Sequence, residues 1–183
     1  MLKERNKIIS VINLDLLINE INEIHNTNVN QKYAKILPYS FHLDSVRKFG
    51  IKFHNLMPKE INSNEVLLAC QGHDLIEDAR MTFNDVAELT NENVAEMIYA
   101  CTELRGKDRS ERHGKEYIEG LKNNKGGLFV KLCDLMANIT FSLATNSNMY
   151  NKYKVEFVHF KEELYLEEYN DMFEFIDKLL NVK

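Results

Sequence analysis

An all-α fold, a compact helical bundle, is what this 183-residue chain predicts, on three observations. Prolines number 2 and glycines 7, too few to punctuate a turn-dense β sandwich or barrel. Leu, Ile, Lys, Glu and Asn dominate the composition, and apolar residues recur at helical spacing along most of the chain. A hydrophobic content of 44% is enough to bury one core, so a single domain over residues 1–183 is expected.

The elements follow from local pattern. Ile8, Ile9, Val11, Ile12, Leu16, Leu17, Ile21 and Ile24 mark a first helix over residues 8–24. Residues 26–37 are polar and aperiodic, and Pro38 restrains Leu37 to extended backbone, so a loop leads into a helix that starts near Ser40 and carries His42, Val46 and Phe49. Gly50 and Pro58 bracket a connection, after which Asn64 caps a helix over 65–78. Thr82-Phe83-Asn84-Asp85 reads as a capping box with Asp in place of Glu, opening a short helix to Leu89. Val94, Met97, Ile98 and Cys101 fall at i, i+3, i+4 and i+7, which predicts a buried helix ending before Gly106 and followed by a basic loop. Ser110 caps a helix to Leu121, Gly126-Gly127 break it, and the apolar run from Leu128 opens another buried helix. Two aromatic-rich segments, about 149–169 and 171–180, close the chain; their stripe of Tyr150, Tyr153, Phe157, Phe160 and Tyr165 reads as core.

Composition also excludes function classes. A formal charge of −5 argues against a general nucleic-acid polymer surface. No apolar run approaches the roughly 18 residues that span a bilayer, so no membrane is expected as a partner. Cys70, Cys101 and Cys133 match no zinc or redox spacing and read as reduced core thiols of a cytoplasmic protein. Basic side chains concentrate over 107–131, where Lys107, Arg109, Arg112 and Lys131 are candidates to hold the phosphates of a small anionic molecule.

Chemistry concentrates in Gly72-His73-Asp74-Leu75-Ile76-Glu77-Asp78, where one imidazole and three carboxylates crowd six residues after the apolar Val66 to Cys70 stretch. On a continuous helix, His73/Glu77 and Asp74/Asp78 form adjacent ridges. Such a cluster repels itself unless a cation is present, and a divalent metal turns it into a binding site. Asp134 is a second carboxylate among apolar neighbours, with Lys131 at i−3 and Asn138 at i+4 on one ridge. His42, just past a loop, suits a ligand reaching in from another helix. His42, His73, Asp74 and Asp134 together form a mixed N/O set that suits Mn²⁺, with Fe²⁺ or Zn²⁺ as alternatives, and leaves coordination positions open for water and substrate. Taken singly, each feature has an ordinary explanation: a solvated helix face for the cluster, a core or surface histidine for His42. His25, His54, His113 and His159 fit no such pattern and read as structural or exposed.

The combination of Pro38-Tyr39-Ser40-Phe41-His42, then His73-Asp74-Leu75-Ile76-Glu77-Asp78 with Thr82 following, then Val130-Lys131-Leu132-Cys133-Asp134 with Asn138 resembles the HD-domain metal phosphohydrolases. It is most similar to the hydrolase domain of the RelA/SpoT alarmone enzymes and their small stand-alone relatives. The resemblance runs in order over roughly residues 20–140. It implies an all-helical HD-type domain that holds one Mn²⁺ through His42, His73, Asp74 and Asp134. Glu77 and Asp78 would stand as the catalytic acidic pair, and the reaction would remove pyrophosphate from the 3′ position of guanosine tetra- or pentaphosphate. In the pattern an Arg-Lys pair precedes Pro-Tyr, with the arginine available to stack on guanine; here Tyr33-Ala34 occupy those positions, and Tyr33 is the stacking candidate. The usual Asp-Arg-Leu-His-Asn reads Asp134-Leu135-Met136-Ala137-Asn138, and Ile36-Leu37 stand for Gly-Glu. The expected partner is a small-molecule nucleotide, and a homodimer is one assembly open to the chain. Hydrolysis of another nucleotide or dinucleotide phosphate on the same metal, or a catalytically silent nucleotide-binding module, are the alternative functions.

Overall fold

The computed structural model describes residues 11–103, 112 and 114–182. Among them are nine α-helices: α1 (Val11–Glu23), α2 (Ser40–Lys52), α3 (Ser63–Gly72), α4 (Phe83–Leu89), α5 (Glu92–Cys101), α6 (Lys115–Asn123), α7 (Lys125–Ala144), α8 (Met149–Leu164) and α9 (Asn170–Leu180). The all-α expectation holds. The sole β pairing among the described residues is a two-residue antiparallel ladder of β1 (Lys32–Tyr33) on β2 (Leu37–Pro38), with Tyr33 opposite Leu37. This ladder lies inside the segment read as loop. Ala34 and Lys35 both have left-handed backbone at its tip (φ 49° and 71°), a turn for which neither residue carries a sequence signal.

Helix α7 is the axis of the bundle and packs against α2, α3, α5, α6, α8 and α9. By length and composition alone it is apolar enough to cross a membrane, but its hydrophobicity has another cause. Leu128, Phe129, Val130, Leu132, Cys133, Met136 and Ile139 are all buried against the surrounding helices. Cys70, Cys101 and Cys133 are free thiols in this core, as expected. Of the aromatic stripe near the C-terminus, Tyr153 and Phe157 are buried, whereas Tyr165 is exposed.

Caps place the helices that carry the site. The Thr82/Asp85 capping box is present, with the Thr82 side chain accepting from the Asp85 N–H and Asp85 accepting in return. At α3 the cap is Asn62, two residues earlier than expected, and its side chain accepts from the Asn64 N–H. No neighbouring side chain caps α2. Instead Asn26, 14 residues upstream, accepts from the Ser40 N–H at 3.1 Å and donates to Ser40 Oγ at 2.9 Å, so the π-turn Ile24–Asn28 anchors the start of the helix that carries His42.

Two predicted boundaries change. The helix expected over 65–78 ends at Gly72, and residues 73–78 continue as a series of turns, with Leu75 N–H to Gly72 O at 2.9 Å and Asp78 N–H to Asp74 O at 2.8 Å. The continuous ridges inferred for His73/Glu77 and Asp74/Asp78 therefore do not form. Packing is the reason: Gly72 lets the chain close on Ile21 and Ile98 while Leu75 becomes fully buried, and left-handed Arg80 (φ 60°) then redirects it. The second change concerns Gly126-Gly127, read as a helix breaker. The break falls at Asn124, whose side chain caps α7, and the glycines lie in the first turn of α7 against α5.

A Cβ at Gly127 would stand 2.7 Å from Ala100 Cβ and 3.1 Å from Met97 O. Gly127→Ala gains about 1 kcal/mol of helix propensity, but the overpacking cost of about 1–3 kcal/mol against backbone prevails. The expected outcome is a net loss of stability, read as a lower urea midpoint at unchanged slope.

Candidate metal centre

Helix α2 crosses both α3 and α7, and the centre forms where these three meet. Gly50 permits the close α2–α3 crossing, since a Cβ there would lie 3.1 Å from Cys70 Sγ. His42 comes from the first turn of α2, His73 and Asp74 from the turns after α3, and Asp134 from the middle of α7.

His42 Nε2 and His73 Nε2 are 3.2 Å apart. Asp134 Oδ1 lies 3.3 Å from the first and 3.5 Å from the second, and Asp74 Oδ2 lies 3.7 and 3.1 Å from them. The His42, His73 and Asp134 donors fall within 4.8 Å of one another, and all three residues are buried. Adjacent ligands about 2.1 Å from one cation are roughly 3 Å apart, so the spacing suits a shared divalent ion. Tautomer chemistry agrees. His73 Nδ1 faces the Cys70 carbonyl at 3.0 Å, an acceptor only, so Nδ1 carries a hydrogen and Nε2 is the nitrogen turned into the cluster, where either a proton or a cation can bind it.

Charge compensation explains how the cluster survives burial. Burial opposes the charge on His73, but Asp74 and Asp134 outweigh it and hold the imidazole pKa well above its ordinary value. Burial likewise disfavours the Asp134 carboxylate; Lys131, His42 and His73 overcome this and keep its pKa well below the usual range. Asp74 is depressed in the same way, burial being outweighed by His73 and His42. A proton on His73 and a divalent cation answer the same negative field.

The predicted neighbours of Asp134 are where the i−3 and i+4 spacing puts them. Lys131 Nζ donates to Asp134 Oδ2 at 3.1 Å, and Asn138 Nδ2 donates to Oδ1 at 2.5 Å. Tyr33, brought in by the hairpin, donates its hydroxyl to Asn138 Oδ1 at 3.0 Å and stacks on the His42 ring with centroids 4.8 Å apart and planes 13° from parallel. Its ring also packs on Phe141, 4.7 Å away. Glu77 is at the exposed edge, with Oε2 accepting from the Glu103 N–H at 3.2 Å. Although the residue is exposed overall, partial shielding of its carboxyl from water, then Glu103, raises its pKa, and Asp74 adds to this; Lys131 and the Glu103 N–H work against it. Arg112 lies 3.2 Å from Glu103 and Lys131 lies 4.0 Å from it, so both basic candidates already face a carboxylate. Lys107 and Arg109, together with Ser110, Gly106 and His113, lie outside the described residues.

Three residues outside the candidate set join the centre. Tyr39 donates its hydroxyl toward Asp74 Oδ2 at 2.5 Å and Asp78 Oδ2 at 3.0 Å. Gln31 Nε2 donates to Asp78 Oδ2 at 2.6 Å, and Gln31 Oε1 is 2.8 Å from Nδ1 of His25. Tyr39 had a usable signal, as part of the quoted Pro-Tyr pair. Gln31 and His25 had none, since only the fold of residues 24–39 brings them to Asp78. His25 is structural, as read, but it is fully buried and stacked on Tyr39, 5.1 Å between centroids.

No protein-family model matches the chain, and no curated protein matches it in sequence. Among solved structures, it is similar to a metazoan ortholog of SpoT that hydrolyzes ppGpp and plays a role in starvation responses. The likeness has a TM-score of 0.71 at 19% identity, over 94% of this chain and 96% of that one. The class that fold and site define is thus an all-helical bundle that shares its fold with this structure and brings together a buried His-His-Asp group able to hold a metal ion.

His25 supplies a test of the described burial. Desolvation lowers its pKa below the ordinary 6.5, against the raising effects of the Gln31 bond, Asp74 and Asp78. A histidine depressed in the folded state contributes stability that is present above the unfolded value and lost as pH falls through the folded one. Metal-free protein is therefore expected to lose stability below about pH 6.5, with a shallower dependence for His25→Gln in urea unfolding from pH 7 to 5.

Proposed function

We propose that the protein is a metal-dependent phosphohydrolase of a small nucleotide, with 3′-pyrophosphate removal from guanosine tetraphosphate as the first reaction to test. The observation that carries this reading is the convergence of His42, His73 and Asp134 from three helices, with Asp74 beside them, in a fold shared with a ppGpp hydrolase. His42, His73, Asp74 and Asp134 would hold the ion, Mn²⁺ by the mixed imidazole and carboxylate set. Such an ion supplies Lewis acidity toward a phosphoryl oxygen and toward water.

The chain's own residues supply the rest. Glu77, at the edge of the centre and three residues from Asp74, orients and deprotonates the attacking water, and its raised pKa makes it a better base than an ordinary carboxylate. Lys131, held 3.1 Å from Asp134, and Arg112, held on Glu103, are the described cations within reach of substrate phosphates, with Lys107 and Arg109 as further candidates. Asn138 and Tyr33 form the wall next to His42 on which the organic part of the substrate would rest. Asp78 receives hydrogen bonds from Tyr39 and Gln31, so it takes part as an acceptor, and a role in proton delivery to the leaving oxygen has to work through that arrangement.

A second substrate reading, another nucleotide or dinucleotide phosphate, rests on Tyr33: its ring is stacked on His42, packs at a tilt on Phe141, and offers no cation to a guanine. A panel of guanosine tetraphosphate, other nucleotides and NADPH decides between them. Pyrophosphate release from the 3′ position is expected; turnover of another member without it would replace the first choice with the second. A panel with no turnover, despite bound Mn²⁺, would leave a nucleotide-binding module.

Two variants test the roles. Asp74→Ala is expected to lose both bound metal, measured by elemental analysis, and activity. Glu77→Gln is expected to keep its metal while kcat falls about 10²–10⁴-fold, the usual worth of a general base. Because the base acts deprotonated, wild-type kcat/KM should fall as pH drops through a value above the ordinary 4.5 of a glutamate, and this acid limb should vanish in Glu77→Gln.

A further inference from the structure

A half-buried chain of polar contacts lies behind the centre. His25 Nδ1 meets Gln31 Oε1 at 2.8 Å, Gln31 Nε2 donates to Asp78 Oδ2 at 2.6 Å, and the Tyr39 hydroxyl reaches the same Oδ2 at 3.0 Å. That hydroxyl also lies 2.5 Å from Asp74 Oδ2. It has one hydrogen to share between two carboxylates, so the two are tied through Tyr39. The amide of Gln31 has two distinguishable ends, and Asp78 decides which one faces it: a carboxylate only accepts, so the NH₂ turns toward Asp78 and Oε1 toward His25. With Oε1 as its partner, His25 Nδ1 is the ring nitrogen that carries the hydrogen, so His25 anchors the amide from its other end. His25 is fully buried, stacks on Tyr39, and its Nε2 has no partner among the described residues, so the ring is held by packing and by this one bond.

We infer that Tyr39 and Gln31 are positioning residues of the centre: Tyr39 couples the ligand Asp74 to Asp78 through one shared hydroxyl, and Gln31, anchored at its other end by His25, holds Asp78 in place. Two effects separate. Removing the Tyr39 hydroxyl affects both carboxylates, whereas removing the Gln31 amide affects Asp78 alone. The turnover part of the inference rests on the phosphohydrolase reading; the metal and tautomer parts do not.

Mn²⁺ titration calorimetry, steady-state kinetics on whichever nucleotide of the panel is hydrolysed, and long-range ¹H–¹⁵N correlation of the histidines test it on the full chain. Outer-shell partners of metal ligands are worth about 10–100-fold in affinity or activity. Tyr39→Phe is expected to weaken Mn²⁺ binding and lower kcat by that amount, with KM near wild type. Gln31→Leu is expected to lower kcat by about 10-fold while Mn²⁺ affinity stays within about 3-fold. His25 in the wild type should be the Nδ1–H tautomer. An Nε2–H tautomer would leave His25 Nδ1 no hydrogen to give Gln31 Oε1 and would overturn the inference, as would unchanged Mn²⁺ affinity in Tyr39→Phe or equal loss of Mn²⁺ affinity in both folded variants. If the wild type hydrolyses nothing, the phosphohydrolase reading fails, and the titration and the tautomer still decide this one.

Discussion

Burial of His42, His73 and Asp134 at the crossing of α2, α3 and α7, with Asp74 beside them, is the constraint to which the rest of the molecule answers. Two carboxylates shielded from water are costly unless countercharge and hydrogen-bond donors reach them. Here the donors are Lys131 and Asn138 on Asp134 and Tyr39 on Asp74, with the imidazoles between. Each donor comes from an element whose position has its own cause. Lys131 and Asn138 follow from helical spacing on α7, and Tyr39 from the Asn26 contact that anchors the start of α2.

The helix crossings are set by small residues. Gly50 brings α2 onto α3, and Gly126 and Gly127 bring α7 onto α5, so that Asp134, two turns further along α7, reaches the histidines. The strained Ala34-Lys35 tip has a comparable consequence for Tyr33. It folds the hairpin back so that the phenol lies on the His42 ring and its hydroxyl on Asn138, which makes Tyr33 part of the packing of His42.

Legibility in the sequence followed the range of the interactions. The Thr82/Asp85 box, the amphipathic pattern of α5, the apolar α7 and the Lys131/Asp134/Asn138 ridge depend on contacts within a turn or two of helix, and all were readable. Residues 73–78 were not. Their composition is helical, but Leu75 is fully buried beside Gly72, which itself lies close to Ile21 of α1 and Ile98 of α5, and no local pattern reports that approach. Gly126-Gly127 carried the right signal with the wrong meaning, because a glycine that breaks a helix and one that admits a neighbouring helix look alike until the neighbour is known.

By itself the sequence determined that the chain is helical, that three cysteines are core residues, and that His42, His73, Asp74 and Asp134 have the chemistry of metal ligands, since residue type and short-range spacing are written directly in it. Only the tertiary structure decided that these four groups, drawn from segments as far as 92 residues apart, converge within a few ångströms. It alone placed His25 and Gln31 behind Asp78 and set Glu103 between Arg112 and Lys131. Those contacts join residues distant in sequence, and their geometry depends on how closely the helices approach, a quantity settled by side-chain packing across several elements at once.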